Sequence, residues 1–340
     1  MSTFKDKITN LDKLSSIKSM FFDTPLLEIK CKYEGKEYTV YSKYEAFNFS
    51  GSIKDRMAYY IYKGSYENGL LKPSDKIVEV TSGNTGIALT ALGRFLGHRV
   101  TIIMPNWLSE ERYKTIKLMG GELILTTREE GFAGALNMAK KMGEEPNVYY
   151  PDQFSNEFNV EAHEKTTAPE LVAQLKKVRK EPNHFVAGVG TGGTIMGFHN
   201  YFVKNGMDCG CYPVEPECSP LLTSKGKCYA PHKIQGIGDD FIPALVDLDK
   251  LDDIILIDDD ASVCMARKLA NVGISVGISS GANFLAALKI AMQYPNDVVC
   301  TVFADSCLKY LSGEICSETL IEKPDYMSSK VEITDYSSIK

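Results

Sequence analysis

Short apolar runs of strand length alternate with longer helical patterns along most of the chain, and this rhythm restricts the fold more than any other feature of the sequence. Lys76-Ile-Val-Glu-Val80 precedes a helical stretch over Ile87 to Leu96, and Arg99-Val-Thr-Ile-Ile103 precedes one from Glu110 to Met119. Glu122-Leu-Ile-Leu-Thr126 is followed by a helix from about Gly131, and His184-Phe-Val-Ala-Gly-Val189 by one from Thr194. Such alternation predicts an α/β fold with mainly parallel sheets covered by helices. At 340 residues the chain is long enough for two such units, each with its own core.

Composition narrows the partners. A net charge of −6 gives no electrostatic reason to expect nucleic acid or an anionic membrane. The longest apolar runs, Val186 to Val189 and Val298 to Ala304, have strand length and are too short to span a bilayer. Met1-Ser-Thr-Phe-Lys-Asp-Lys7 has no apolar core of a secretory leader. Nine cysteines without such a leader predict a reducing, cytoplasmic location and free, mostly buried thiols. Cys209 and Cys211 are close, but no Cys-x-x-Cys or His-x-x-x-His spacing exists, so no metal site is expected. The segment 323–340 is polar and without periodicity, and is expected to be a loosely docked or disordered tail.

In α/β folds ligands bind where strands end and helices begin, and several loops at such places are rich in small and hydroxyl residues. Ser50-Gly-Ser-Ile-Lys54-Asp-Arg56 places a lysine just before the helical run Met57 to Gly64. A lysine amine forms a Schiff base with an aldehyde, and pyridoxal phosphate (PLP) is the common aldehyde cofactor. Thr81-Ser-Gly-Asn-Thr-Gly86 offers backbone N–H groups, hydroxyls and a helix N-terminus, a setting for a carboxylate or phosphate. Gly190-Thr-Gly-Gly-Thr194 has neither the Walker nor the dinucleotide spacing and fits a phosphate cup for a small cofactor. In Gly277-Ile-Ser-Ser-Gly-Ala282 a serine hydroxyl could bond an uncharged pyridine nitrogen.

Taken in order with Lys233-Ile-Gln-Gly-Ile-Gly238, these motifs resemble the cysteine synthase / cystathionine β-synthase family of fold-type II PLP enzymes, from about Thr24 to Ser317. The resemblance implies two three-layer α/β domains. Residues 47–150 would form a smaller mobile domain, and 1–46 with 151–322 a large PLP-binding domain. It implies that Lys54 holds PLP and moves the substrate α-proton, that Asn84 bonds the cofactor 3′ oxygen, and that Gly190, Thr191, Gly192, Gly193 and Thr194 hold its phosphate. Ser279 would face the pyridine nitrogen, and Thr81, Ser82, Thr85 and Gln153 would grip the carboxylate of a small amino-acid substrate. Family members are usually homodimers. Cysteine synthases also bind a serine acetyltransferase tail, a partner no residue here specifically supports.

One departure from the family stands out. Where cysteine synthases typically read Gly-Ile-Gly-Ala-Gly-Phe-Ile-Pro, this chain reads Gly236-Ile-Gly-Asp239-Asp240-Phe-Ile-Pro243. A carboxylate there would repel hydrosulfide and could deprotonate a water instead. The pattern resembles hydrogen-sulfide-producing L-cysteine lyases, which replace the cysteine thiol by water through α-aminoacrylate and give serine and sulfide. Asp240, in place of the second small residue, is the expected catalytic carboxylate, with Asp239 expected to face solvent or cap a turn. The alternatives are a cysteine synthase using O-acetylserine or O-phosphoserine, a cystathionine β-synthase, and a non-catalytic paralogue that binds a partner; Lys54 argues against the last. Ala304 and Cys307, where the family has proline and glycine, and Trp107 in the Met104-Pro105 loop are further departures near the site.

Overall fold

The computed structural model describes residues 9–127, 129–319 and 322–340. The first eight residues, on which the expectation about a leader rests, lie outside the described residues. Among the described residues eleven strands build two sheets. In chain order they are β1 (Leu26–Tyr33), β2 (Lys36–Tyr44), β3 (Lys76–Val80), β4 (Val100–Pro105), β5 (Glu122–Thr126) and β6 (Val148–Tyr149). The remainder are β7 (His184–Gly188), β8 (Gly210–Pro216), β9 (Ile255–Ile257), β10 (Val299–Phe303) and β11 (Val331–Ile339).

The smaller sheet, in the order β5-β4-β3-β6, is parallel throughout. The larger sheet runs β11-β1-β2-β10-β7-β8-β9. From β2 to β9 its neighbours are parallel, while β1 is antiparallel to both β2 and β11. The central strands β4 and β10 are buried at every residue, as expected where helices cover both faces of a parallel sheet. The strand–helix alternation is therefore realised, with the helices Asn84–Leu96, Glu110–Leu118, Gly131–Gly143 and Gly193–Lys204 following β3, β4, β5 and β7. Helix Ile278–Gln293 is buried along most of its length, which its Ala-, Leu- and Ile-rich sequence permits.

Two segments differ from the sequence expectation. The C-terminal tail is not loosely docked: β11 pairs with β1 from Leu26 opposite Ile339 to Tyr33 opposite Val331, with an irregularity at Lys30/Cys31. Val331 and Ile339 are buried, and the Gln174 amide donates to the Ile339 carbonyl oxygen at 3.2 Å. A solvated edge strand alternates weakly in hydrophobicity, so this stretch reads as loop in sequence. At the other end, Leu14 and Phe21, from the stretch assigned to the large domain, pack with Tyr59, Tyr62, Ile77 and Leu89 in the core beside the small sheet. The helix Asn10–Ser16 thus goes with the small sheet.

The loops following β2, β3, β6, β7 and β10 all leave the carboxyl ends of parallel strands, and together they wall one cleft.

Candidate active site

Lys54 opens the helix Lys54–Glu67 at the floor of the cleft. Its loop is set locally and from across the sheet. The Asp55 carboxylate folds back to accept from the Ser50 N–H (2.8 Å), the Ser50 hydroxyl (2.5 Å) and the Ser52 N–H (3.2 Å). The Ile53 N–H donates to the Ala304 carbonyl oxygen at 2.8 Å, which ties the lysine loop to the end of β10. Burial lowers the Lys54 pKa against the opposing influence of Asp305 and Asp239. A larger free-amine fraction is what attack on an aldehyde requires.

Opposite Lys54 the loop after β7 forms a cradle at the N-terminus of the helix Gly193–Lys204. Gly192 has a φ of 86°, which suits glycine, and a Cβ on Gly190 would collide with the Gly236 carbonyl oxygen. Among the described residues the backbone N–H groups of Gly190, Thr191, Gly192 and Thr194 have no protein hydrogen-bond partner. Unpaired amides at a helix N-terminus are the donors a phosphate needs. The Asn159 amide donates to the Thr191 hydroxyl oxygen (2.8 Å) and to the Gln153 carbonyl oxygen (2.9 Å). It thereby couples the cradle to the other wall. His163 is buried and faces the Thr194 hydroxyl at 3.4 Å; burial and the Lys54 charge hold its imidazole neutral. Asn159 and His163 carry no sequence signal, because each acts through a partner far along the chain.

The third wall is the loop after β3. Thr81, Ser82, Asn84, Thr85 and Gln153 all line the cleft. The Thr85 hydroxyl donates to Gln153 Oε1 at 2.6 Å and Gln153 Nε2 donates to the Val80 carbonyl oxygen at 2.6 Å, leaving that amide one free N–H. Behind it the buried Glu79 carboxyl, raised by burial to about 8, accepts from the Val80 N–H (2.8 Å) and the Gln153 N–H (3.2 Å). Arg112, which sequence reading missed, also lines the cleft. Its Nη1 donates to the Ser82 carbonyl oxygen at 2.5 Å, while its buried Nε has no hydrogen-bond partner. A serine followed three residues later by an arginine in the first helical turn would have been the only cue.

Ser279 completes the cleft, its hydroxyl without a protein partner among the described residues. Of the expected cofactor and substrate residues, Lys54, Thr81, Ser82, Asn84, Thr85, Gln153, Gly190, Thr191, Gly192, Thr194 and Ser279 line this one cleft, while Gly193 lies outside the lining with its N–H turned to the Thr191 hydroxyl oxygen at 3.5 Å; the expected carboxylate is exchanged for its neighbour. Asp239 lines it, whereas Asp240 is exposed and outside the lining. Gly238, just before the pair, has a left-handed backbone (φ 68°), and of the two carboxylates that follow only the first lines the cleft. Burial, and next the Asp240 charge, raise Asp239 to about 6, with Lys54 pulling the other way.

The residues present fit PLP: an amine, an anion cradle of open N–H groups that a Cβ would fill, and an unpartnered hydroxyl, all lining one cleft. No group of three or more metal-ligating side chains occurs among the described residues, and no described helix is long and apolar enough to cross a membrane.

Comparisons with known proteins agree with this geometry. Residues 17–305 match the family described as "Pyridoxal-phosphate dependent enzyme". The chain is 41% identical over 298 residues to a probable cysteine synthase of Bacillus subtilis (strain 168), covering 87% of this chain and 95% of the relative. A hydrogen sulfide-producing enzyme from Fusobacterium nucleatum superposes with a TM-score of 0.91 at 44% identity, covering 96% of this chain and 99% of that one. An aspartate-to-asparagine variant of that enzyme, solved in complex with an α-aminoacrylate intermediate, superposes equally well (TM-score 0.91, 43% identity, with coverage of 96% and 99%). A cleft built around Lys54 and a glycine cradle, on a chain so similar to these proteins over nearly its whole length, places it in the pyridoxal-phosphate dependent family, as a cysteine synthase-like β-replacing enzyme of cysteine metabolism.

Proposed function

We propose that this protein is an L-cysteine lyase that replaces the cysteine thiol by water, giving L-serine and hydrogen sulfide. The observation that carries the reading is the carboxylate of Asp239 in the cleft wall, close enough to Lys54 for their charges to interact and titrating near 6. Such a group is mostly ionised at neutral pH yet remains a usable base. A negative wall disfavours hydrosulfide and leaves water unaffected. The resemblance to a hydrogen sulfide-producing enzyme, in which an aspartate variant was captured with α-aminoacrylate, supports the same choice.

PLP, when bound, supplies an electron sink that lets the α-proton leave. Lys54 would hold it, Gly190, Thr191, Gly192, Gly193 and Thr194 would bind its phosphate, and Ser279 would face its ring nitrogen. Thr81, Ser82, Thr85 and Gln153 orient the substrate carboxylate. Lys54 takes the proton from Cα and later returns it. The C–S bond breaks and the sulfur leaves with the bonding pair, gaining a proton as hydrogen sulfide. A carboxylate of the Asp239-Asp240 pair accepts a proton from water as the oxygen bonds Cβ. The net reaction consumes one cysteine and one water. The small-sheet side would close over the substrate, the assembly would be a homodimer, and the nine free cysteines fit a reducing compartment such as the cytosol.

A second reading, cysteine synthase, is favoured by the 41% identity to the Bacillus protein. Incubation with L-cysteine alone separates them, since only the lyase forms equimolar serine and sulfide. Asp239→Asn is expected to lower serine formation by about 100-fold, the scale of one general base, with a visible absorbance persisting after cysteine is added. Asp240→Asn in parallel assigns the base. Cysteine formation from O-acetylserine and sulfide, without serine from cysteine, would overturn the lyase reading.

A further inference from the structure

The side-chain amide of Asn84 is held from both ends by one short segment. Asn84 Nδ2 donates to Asp305 Oδ2 at 2.7 Å, and Asn84 Oδ1 accepts from the Lys309 ammonium at 3.0 Å. These partners follow β10, 221 and 225 residues along the chain from Asn84. An amide is polar end to end, so its two orientations differ greatly here. The observed one places the NH₂ against a carboxylate and the carbonyl oxygen against an ammonium. The flipped one would set NH₂ against ammonium and oxygen against carboxylate, exchanging two charge-assisted hydrogen bonds for two repulsions.

The holders are themselves fixed. Asp305 Oδ2 also accepts from the Tyr310 hydroxyl at 2.7 Å, and the Arg112 guanidinium lies 4.9 Å from the centre of the Tyr310 ring. The Lys309 carbonyl oxygen accepts from the Ser109 hydroxyl at 2.9 Å, which pins the backbone that carries the ammonium. Asn84 keeps one N–H beyond its bond to Asp305, and its side chain lines the cleft.

We propose that Lys309 is a positioning residue that locks the Asn84 amide so that its remaining N–H faces the phenolic 3′ oxygen of bound PLP, and so selects the proton tautomer of the lysine-bound cofactor. The proposal rests on the reading of Asn84 as the residue facing that oxygen. A donor there favours the oxygen as an anion, with the proton on the Schiff-base nitrogen, the tautomer that absorbs in the visible. A flipped amide would present its carbonyl oxygen instead and favour a protonated phenol, which absorbs in the near ultraviolet.

The test uses the full-length, PLP-loaded enzyme, with wild type compared to Lys309→Met and Lys309→Arg. The Met variant is expected to bind PLP about tenfold more weakly, the equivalent of one net hydrogen bond of about 1.4 kcal/mol. Its near-ultraviolet-to-visible absorbance ratio should rise several-fold at fixed pH. The Arg variant, which restores a cationic donor, should recover most of the wild-type spectrum. Where the Met variant does not fold, Lys309→Gln carries the same expectation, because a neutral amide can turn together with Asn84. A variant with wild-type spectrum and affinity overturns the proposal. A wild-type protein in which borohydride reduction fixes no PLP to Lys54 defeats instead the assignment of Lys54, and that measurement on the wild type tells the two failures apart.

Discussion

Arg56 and Glu45 meet at 2.6 Å with neither side chain exposed, two residues beyond the lysine that opens the same helix. The guanidinium also holds Glu170 at 2.7 Å, and the buried Lys43 approaches Glu170 at 2.8 Å. Glu45 further accepts from the Thr24 hydroxyl at 2.6 Å. This fully paired cluster fixes the start of the helix against the end of β2, and so fixes Lys54.

Removing Arg56 leaves the buried Glu45 carboxylate without its guanidinium, which costs about 3–5 kcal/mol, whereas removing the Glu45 charge leaves the guanidinium its bonds to Glu170 and costs less. Arg56→Met and Glu45→Gln should each lower the denaturant midpoint accordingly. The double variant should lose clearly less than the two single losses added together, which chemical denaturation of all three will show.

The cradle leaves no room at Gly190. Gly190→Ala drives a methyl group into the Gly236 carbonyl oxygen, so the loops after β7 and before Asp239 must separate. PLP affinity should fall by at least about tenfold, or 1.4 kcal/mol, while far-ultraviolet circular dichroism stays unchanged. Fluorescence titration with the cofactor measures the loss.

Glu79 makes stability depend on pH in a defined direction. Its folded value, about 8, lies above the ordinary 4.5, so the fold binds the proton more tightly than the unfolded chain. The contribution is fully present below about 4.5, declines as pH rises, and is exhausted above about 8. Melting temperatures of wild type and Glu79→Gln, whose neutral amide mimics the protonated carboxyl, should nearly coincide at acid pH and diverge as pH rises across that interval, the wild type falling below the variant and alone carrying the slope.

The C-terminal strand should be needed for stability and not for chemistry. Deleting residues 331–340 removes the buried Val331 and Ile339 and bares the edge of β1. A loss of at least about 2 kcal/mol is expected from apolar burial alone, with more aggregation on heating. The spectrum of bound PLP in the folded fraction should match that of the full chain.

Much of this was legible in sequence, and the exceptions have physical causes. Parallel strands such as Lys76–Val80 and His184–Gly188 announce themselves by apolar runs before glycine or hydroxyl loops, and those loops line the cleft. Strand β11 stayed hidden because Glu332-Ile-Thr-Asp-Tyr-Ser-Ser338 is mostly exposed, and its pairing is decided by β1, some three hundred residues earlier. The sequence could show a carboxylate pair at 239–240 but not which one lines the cleft, since two adjacent aspartates carry the same signal and the backbone around Gly238 is not read from residue types. Asn159 and His163 act through distant partners, and spacing along the chain holds no trace of them; Arg112 left only the faint cue of its place in a first helical turn.

The order of strands in the larger sheet also bears on how the molecule comes into being. β2 leaves the ribosome well ahead of its parallel neighbour β10, which begins only at Val299. The hairpin β1–β2 must therefore wait with both flanks bare, while the small sheet, continuous from Lys76 to Tyr149, can assemble early. Pairings of such long sequence separation form slowly and leave aggregation-prone edges uncovered meanwhile. The holders of Asn84 arrive later still, at Asp305 and Lys309, so a nascent chain stalled before them would carry the Asn84 amide without the two charges that fix its orientation.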